Sequence, residues 1–331
     1  MAADTFLIPL IEPMEARLEP ELPVGAGWQY EPKWDGFRCL AYISRDQAML
    51  YSKAGKRLDR YFPEVAASLI ASANEPCVVD GELVVALNRR LSFEALQARL
   101  HPAESRIRRL SGETPARYML FDCLQVGKAQ LIDEPLSARR SALRKLVAAW
   151  AQPGLSLSPA ITDVVEARRW LEESGTDTDG VVAKRRDGSY RPGERSMVKV
   201  KRRRTVDCVV GGFRYASKGN IVGSLLLGLY DGAGLLNHVG YTSSLTLADR
   251  RALTPRLEAL VEPPGFTGRA PGGPSRWSNE RSTTWQPLKP ELVVEVLFDH
   301  ATGDRFRHGT RFLRWRPDKA PRQCKMDQLV A

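Results

Sequence analysis

Hydrophobic positions recur along this chain at two spacings, every second residue and every third or fourth, and the switches between them mark its elements. Tyr30 to Met49 is rich in aromatic and β-branched residues around Asp35-Gly36, which predicts strand, tight turn, strand. Met49 to Ser52 continues that sheet. Tyr61 to Ile70 has helical spacing, and Pro76 breaks the chain after it. Cys77 to Ala86 reads as a strand interrupted by Asp80-Gly81, and Tyr118 to Val126 as another. Leu136 to Trp150 predicts a helix. Asp163 is placed to cap a helix running to Ser174, with Glu166 as the reciprocal cap. Gly180 to Lys184 and Ser196 to Lys201 read as short strands.

The pattern changes at Lys199 to Arg204, where five residues in six are basic. Beyond it, Val206 to Tyr215, Ile221 to Tyr230 and Leu235 to Tyr241 are predicted strands, the last two joined by a hairpin at Asp231-Gly232. Leu245 to Val261 reads as one helix and Pro263 to Pro274 as a loop. Glu291 to Asp299 and Arg311 to Trp315 are further strands. Several strands around one helix predict a small Greek-key barrel of the OB type. A length of 331 residues suits two domains, and we place them at 1–203 and 204–331.

Charge and composition narrow the function. Lys and Arg number 49 against 39 Asp and Glu, a net charge of +10 that favours a polyanionic partner. The smaller domain is the more basic, with 18 Lys and Arg against 12 acids, where residues 1–203 have 31 against 27. A hydrophobic share of 43% with 27% charged residues excludes global disorder. No apolar run approaches the ~20 residues of a bilayer span, and Met1 to Leu10 lacks the form of a secretory signal. The five cysteines stand far apart without CxxC spacing, and HExxH is absent. A cytoplasmic protein without a zinc cage or disulfide framework is expected.

Several residues could carry chemistry. In Glu31-Pro-Lys33-Trp-Asp35-Gly36-Phe-Arg38, Lys33 at a strand end presents an amine at a pocket edge, and Arg38 returns on the next strand. Alone, the pattern reads more readily as an exposed lysine beside a turn. Glu82 puts a carboxylate inside an apolar strand, where it is paired, metal-bound or on a solvent edge. Phe121 is a core residue or a stacking platform. Asp179-Gly180-Val-Val-Ala-Lys184 again joins a carboxylate, an apolar strand and a lysine. Lys199 and Lys201, two apart, share one strand face toward an anion or toward solvent.

Taken in order, these motifs resemble the covalent nucleotidyltransferases. The ending, Thr284-Trp-Gln-Pro-Leu-Lys-Pro-Glu-Leu-Val-Val-Glu-Val296, Phe306-Arg-His308 and Arg316-Pro-Asp-Lys319, resembles the OB domain of bacterial ATP-dependent DNA ligases. The small accessory ligases and the ligase domain of end-joining repair enzymes are the nearest in pattern. The resemblance covers Ile11 to Pro321. It implies an α+β fold: a nucleotidyltransferase domain of ATP-grasp-like antiparallel sheets with helices, followed by an OB-fold β-barrel domain.

The resemblance also implies roles. Lys33 would be the nucleophile that takes AMP from ATP. Glu31 would read the adenine, Phe121 would stack on it, and Arg38 and Glu82 would hold the ribose side. Glu82 and Asp179 would bind Mg²⁺ or Mn²⁺. Lys184, Lys199 and Lys201 would contact the α-phosphate region, and Arg316 and Lys319 would orient the leaving pyrophosphate. Lys53, Arg202, Arg203 and Arg204 would meet DNA. The family more often has Glu at the position of Asp179 and Arg at that of Lys53, so metal contact through water and a weaker phosphate grip are expected here. Nicked double-stranded DNA is the implied substrate of a monomer associated with the bacterial nucleoid. A Ku-type end-binding protein or a repair polymerase is the implied partner.

The chemistry suits these residue types. A free lysine has a pKa near 10.4, so about four in ten thousand are neutral at pH 7, and neighbouring cations would push Lys33 downward. No GxxxxGK[ST] loop is present, so side-chain cations must neutralise the phosphates. Two other readings stand beside DNA ligation: an RNA ligase or capping guanylyltransferase, and a non-catalytic OB protein that binds nucleic acid. The missing cysteine zinc site disfavours an NAD-dependent ligase.

Overall fold

A computed structural model of the protein describes residues 6–88, 90–174, 178–202, 204–217, 219–272, 284–299 and 301–329. The chain divides into two compact units, Met1–Arg202 and Arg203–Ala331. In the first, the elements are β1 (Ala16–Leu18), β2 (Trp28–Trp34), β3 (Phe37–Ile43), β4 (Ala48–Ser52), α1 (Pro63–Ser72), β5 (Cys77–Leu87), β6 (Arg90–Leu91), α2 (Phe93–Ala98), α3 (Glu104–Glu113), β7 (Ala116–Val126), β8 (Ala129–Gln130), α4 (Leu136–Trp150), β9 (Leu155–Leu157), α5 (Val164–Glu173), β10 (Thr178–Arg185) and β11 (Met197–Val200). They form an α+β arrangement of two sheets. One has the order β1-β11-β10-β2, the other β4-β3-β5-β7-β8, with β6 on β5 and β9 on β7. The sheets are mixed rather than purely antiparallel, because β1 runs parallel to β11 and β9 parallel to β7.

Strand β3 explains why this unit has a two-layer interior. Cys39, Ala41 and Ile43 face one apolar cluster, which also takes Val65 and Leu69 of α1 and Leu143 of α4. Leu40 and Tyr42, on the opposite face, join Val78, Leu124, Tyr190 and Met197 in a second cluster between the sheets. A strand covered on both faces reads as a near-continuous apolar run.

Two expectations need correction here. Asp35-Gly36 closes no hairpin: β2 lies in the first sheet and β3 in the second, so these residues carry the chain between sheets. Both flanking strands find better partners elsewhere, β10 for β2 and β4 and β5 for β3. Nor does Asp80-Gly81 interrupt β5. The strand is continuous, with a bulge against β7. Gly81 is required because a Cβ there would lie 2.5 Å from a ring carbon of Tyr118. The cap on α5 is partly as expected. Asp163 accepts from the Val165 N–H at 2.7 Å, one residue short of the reciprocal arrangement with Glu166. A full capping box occurs instead where Thr246 and Asp249 start the helix of the second unit.

The second unit contains β12 (Arg204–Tyr215), β13 (Val222–Tyr230), β14 (Leu236–Thr242), α6 (Leu247–Glu258), β15 (Gln286–Pro287), β16 (Val293–Phe298), β17 (Ala301–Thr302), β18 (Arg305–Phe306) and β19 (Arg311–Trp315). Its main sheet has the order β14-β13-β12-β16-β19, with β15 on β12. The expected closed barrel is a half-barrel among the described residues. Its edges β14 and β19 share no ladder, and a single bridge, Thr242 to Thr310, lies between them. One apolar cluster, including Val209, Phe213, Leu227, Leu257 and Phe266, fills its inner side.

His238 of β14 sits in that interior, edge-on to Phe266 with ring centroids 5.4 Å apart. Burial, with Arg305, Arg214 and Arg269 nearby, pushes its pKa down to about 3. Between there and about 6.5 the unfolded chain binds a proton that the native imidazole refuses, so native stability falls as pH drops below about 6.5. Replacing His238 with Asn is expected to reduce the loss between pH 6.5 and 5 by about 2 kcal/mol, read by urea unfolding at each pH.

The five cysteines, Cys39, Cys77, Cys123, Cys208 and Cys324, are free and buried. Among the described residues no helix is long and apolar enough to cross a membrane.

Candidate active site

A pocket opens between the two sheets of the first unit. Its lining takes Glu31, Lys33 and Trp34 from β2, Lys184 from β10 and Lys199 from β11. Arg38 of β3, Glu82 of β5, Phe121 of β7 and Lys53, just past β4, complete it from the other sheet. Strand parity explains Glu82. Val79, Leu83 and Val85 point into the apolar cluster, and the intervening residues of β5 point toward the other sheet.

Each group has a defined partner. Lys33 Nζ lies 2.8 Å from Asp179 Oδ2, and Lys201 Nζ lies 3.1 Å from the same oxygen. Burial opposes the Asp179 charge, but the two ammonium groups outweigh it and hold the carboxyl below its ordinary range. Asp179 reaches Lys33 because β10 bulges between Thr178 and Val181. Gly180 allows the bulge: its φ is +137°, and a Cβ would lie 2.1 Å from the Val200 carbonyl oxygen.

At the inner end, Lys184 Nζ pairs with Glu31 Oε2 at 2.7 Å, both nearly inaccessible to solvent. Gln29 donates to the other Glu31 oxygen at 2.8 Å. Lys184 and Arg38 both lie over the Phe121 ring, 4.3 and 4.5 Å from its centre. Lys184 is thus committed to Glu31 rather than crowding Lys33. Glu82 is half-buried, and burial pushes its pKa up to about 7 despite the opposing pull of Arg38 and Lys33. Lys199 is moved the other way, its pKa lowered by burial and by Lys33, Lys201 and Lys53.

Of the remaining predicted residues, Lys53 shares the pocket and the others lie elsewhere. Lys53 stands in the pocket wall with 60% of its side chain exposed, paired with Glu15 at 2.7 Å. Arg202 donates to the Ser174 carbonyl at 2.8 Å, and Arg204 packs over Phe298 at 4.8 Å. Arg203 lies outside the described residues. In the second unit Arg316 donates to both oxygens of Asp207 at 2.9 and 3.1 Å, and Lys319 donates to the same carboxylate at 2.6 Å. Asp318 holds the other edge of Arg316.

Sequence reasoning missed Met14, Glu15 and Asp207. Met14 and Glu15 line the pocket from a segment without periodic pattern. Asp207 had a readable signal, a carboxylate inside the apolar strand Val206 to Tyr215, the same sign that singled out Glu82.

Residues 19–201 match the model of the ATP dependent DNA ligase domain, more than half of the chain. The chain belongs to the ATP-dependent DNA ligases. Residues 218–319 match the C terminal region of the same family. DNA ligase C1 of Mycolicibacterium smegmatis is 45% identical over 334 residues, covering 97% of this chain and 94% of that protein. DNA ligase C of Mycobacterium tuberculosis is 42% identical over 340 residues, covering 98% and 94%. The multifunctional non-homologous end joining DNA repair protein LigD of M. tuberculosis is 30% identical over 299 residues, 89% of this chain and 37% of that protein. A solved structure of a Lig E DNA ligase, 19% identical, covers 91% of this chain and 99% of its own at a TM-score of 0.57, a likeness of fold. Membership of the DNA ligases decides against the capping, RNA-ligase and non-catalytic readings.

Proposed function

We propose that the pocket binds ATP and that Lys33 carries AMP to the 5′-phosphate of a DNA nick. The supporting observation is convergence: Glu31, Lys33, Arg38, Glu82, Phe121, Lys184 and Lys199, scattered through the sequence, line one pocket. Glu31 would read the adenine and Phe121 stack on it, with Arg38 and Glu82 on the ribose side. The Lys33 amine attacks the α-phosphorus, loses its proton, and displaces pyrophosphate. The nick 5′-phosphate then displaces Lys33 from AMP. Finally the 3′-OH attacks that phosphate and AMP leaves. Displacement at phosphorus depends mainly on positioning and charge neutralisation, for which Lys184, Lys199 and Lys201 are at hand. Arg316 and Lys319 are assigned to the leaving pyrophosphate.

A divalent cation such as Mg²⁺ or Mn²⁺ fits this donor set. Mg²⁺ takes one or two carboxylates and keeps waters and substrate phosphates. Glu82, half-buried in the pocket wall, suits a direct contact. Asp179, already shared by two ammonium groups, suits a contact through water. Bound there, the cation would supply charge neutralisation on the phosphates.

The second unit is assigned as an OB-type module on residues 204–331, after an adenylation domain on 1–203. Lys53, Arg202, Arg203, Arg204 and the run from Arg305 to Lys325 are the candidates for DNA backbone across both domains, the run having eight basic residues and one acid. Nick sealing cannot depend on sequence, so these contacts go to phosphates. We assign the enzyme, as a monomer, to cytoplasmic DNA repair, and to end joining by its similarity to LigD. A Ku-type protein or repair polymerase is the matching partner. Sealing of nicked, gapped and blunt duplexes by purified protein tests the assignment, and failure on nicks with ATP and Mg²⁺ refutes it. With about six phosphates contacted, log affinity for nicked duplex is expected to fall against log salt with a slope near −5. A slope near zero would exclude a backbone clamp.

A further inference from the structure

Behind the pocket wall four residues close a ring of hydrogen bonds. Arg38 donates through Nε and Nη2 to the two oxygens of Asp80, at 2.7 and 2.6 Å. Arg38 Nη2 also donates to the Met14 carbonyl at 3.3 Å. The Met14 N–H donates to the Tyr190 hydroxyl oxygen at 3.0 Å. The Tyr190 hydroxyl in turn donates to Asp80 Oδ2 at 2.7 Å, which returns the circuit to Arg38. Arg38 and Met14 face the pocket, whereas Asp80 and Tyr190 do not line it. Asp80 is wholly buried and Tyr190 is 2% exposed.

We propose that Tyr190 is a positioning residue for ATP: its hydroxyl joins Met14 to Asp80 and so sets where the Arg38 guanidinium stands in the pocket. The inference rests on the reading of this pocket as the ATP site. Tyr190 belongs to a loop that has anchors outside the pocket, besides the Arg191 N–H that donates to Met14 Sδ at 3.3 Å. The Tyr190 N–H donates to the Ile132 carbonyl at 2.8 Å, and Arg139 holds the Gly188 carbonyl at 3.0 Å. The hydroxyl therefore ties two groups to that loop. One is the Asp80 carboxylate, whose plane a bidentate partner copies. The other is the Met14 backbone, which enters β1 and faces the nucleotide site. Without the hydroxyl, the Met14 N–H loses its acceptor and, among the described residues, the Asp80 carboxylate keeps Arg38 as its one side-chain partner. The guanidinium is then free to tilt on the Phe121 ring. Such a fault weakens the binding of a group that Arg38 touches and leaves the Lys33 nucleophile in place.

Tyr190→Phe tests this, because it keeps the ring in the apolar cluster and removes one oxygen. Lysyl-adenylate formation is followed in single turnover against ATP concentration, normalised to the fraction of chains that label at saturation. Half-saturating ATP is expected to rise about tenfold, equivalent to about 1.4 kcal/mol, with the plateau rate within about threefold of the parent. A purely structural fault would lower the labelled fraction and leave half-saturation where it was, which would overturn the proposal. Arg38→Gln and the double variant complete a cycle. The effect of Tyr190→Phe is expected to vanish when Arg38 is already Gln. An equal effect in both backgrounds would mean that Tyr190 does not act through Arg38, and only this proposal would fall. If Arg38→Gln alone leaves half-saturation unchanged, the placing of Arg38 on the nucleotide fails, and this proposal with it.

Discussion

Lys33→Ala is expected to lose all transfer of label from α-labelled ATP to the denatured chain, a fall of at least about 10³-fold. Four other lysines stand close by, Lys53 among them, largely exposed and paired with Glu15, so the choice rests on geometry. Lys184 is buried against Glu31, and Lys201 reaches Asp179 from beyond the end of β11. Lys199 shares the pocket and, like Lys33, is the last but one residue of its strand, so the choice falls on Lys33 by its contact with the carboxylate of Asp179. Lys33→Arg should be equally dead, since a guanidinium keeps the charge but does not deprotonate. Both variants should still close a nick whose 5′-phosphate already bears AMP, because the last step needs no lysine nucleophile. Label on the Lys33→Ala chain would move the nucleophile elsewhere, with Lys199 the first residue to examine.

Asp122→Ala is expected to destabilise the first unit by about 3–5 kcal/mol, lowering its melting temperature by roughly 10 °C. Asp122 and Arg139 are each 1% exposed, joined by two hydrogen bonds of 2.8 and 3.1 Å. Arg139 also donates to the Glu134 carbonyl at 2.6 Å, so its guanidinium ties α4 to β7 and to the loop before the helix. Removing the carboxylate strands a buried cation, which costs far more than the pair itself is worth. Asp122→Asn retains an acceptor and should lose less. Calorimetry on both variants checks this, and a loss under about 1 kcal/mol for the alanine would mean that water reaches Arg139.

The pocket was largely legible because its chemistry resides in strands whose apolar run is broken by a charge. Glu82, Lys184 and Lys199 each stand out against such a run, whereas Lys33, between Pro32 and Trp34, stands out only by its place in the order of motifs, and the four meet in one place. What could not be read was pairing. Nothing in Trp34-Asp35-Gly36-Phe37 says that the two strands part company, because a crossing between sheets uses the same small and polar residues as a hairpin. Asp80-Gly81 misled for a related reason. Turn-forming residues were used inside a strand, Asp80 to hold Arg38 and Gly81 to admit Tyr118. Met14 acts through its backbone groups and Glu15 through its carboxylate on Lys53, just ahead of a short parallel strand whose pairing leaves no periodic trace. The half-barrel was visible as strands and one helix, but closure depends on edges that local pattern does not describe.

The buried cysteines have a practical consequence. Three lie in the first unit and two in the second, and burial pushes their thiols upward, Cys77 to about 12 and Cys324 to about 11. Thiolate is the reactive form, so the native chain should ignore alkylating reagents and peroxide at neutral pH. Each unit thereby contains its own clock: alkylation of Cys123 times the opening of one core, and alkylation of Cys208 the opening of the other. Peptide mapping after a brief pulse of reagent could then report, in a single sample and without any added probe, which half of the ligase loosens first.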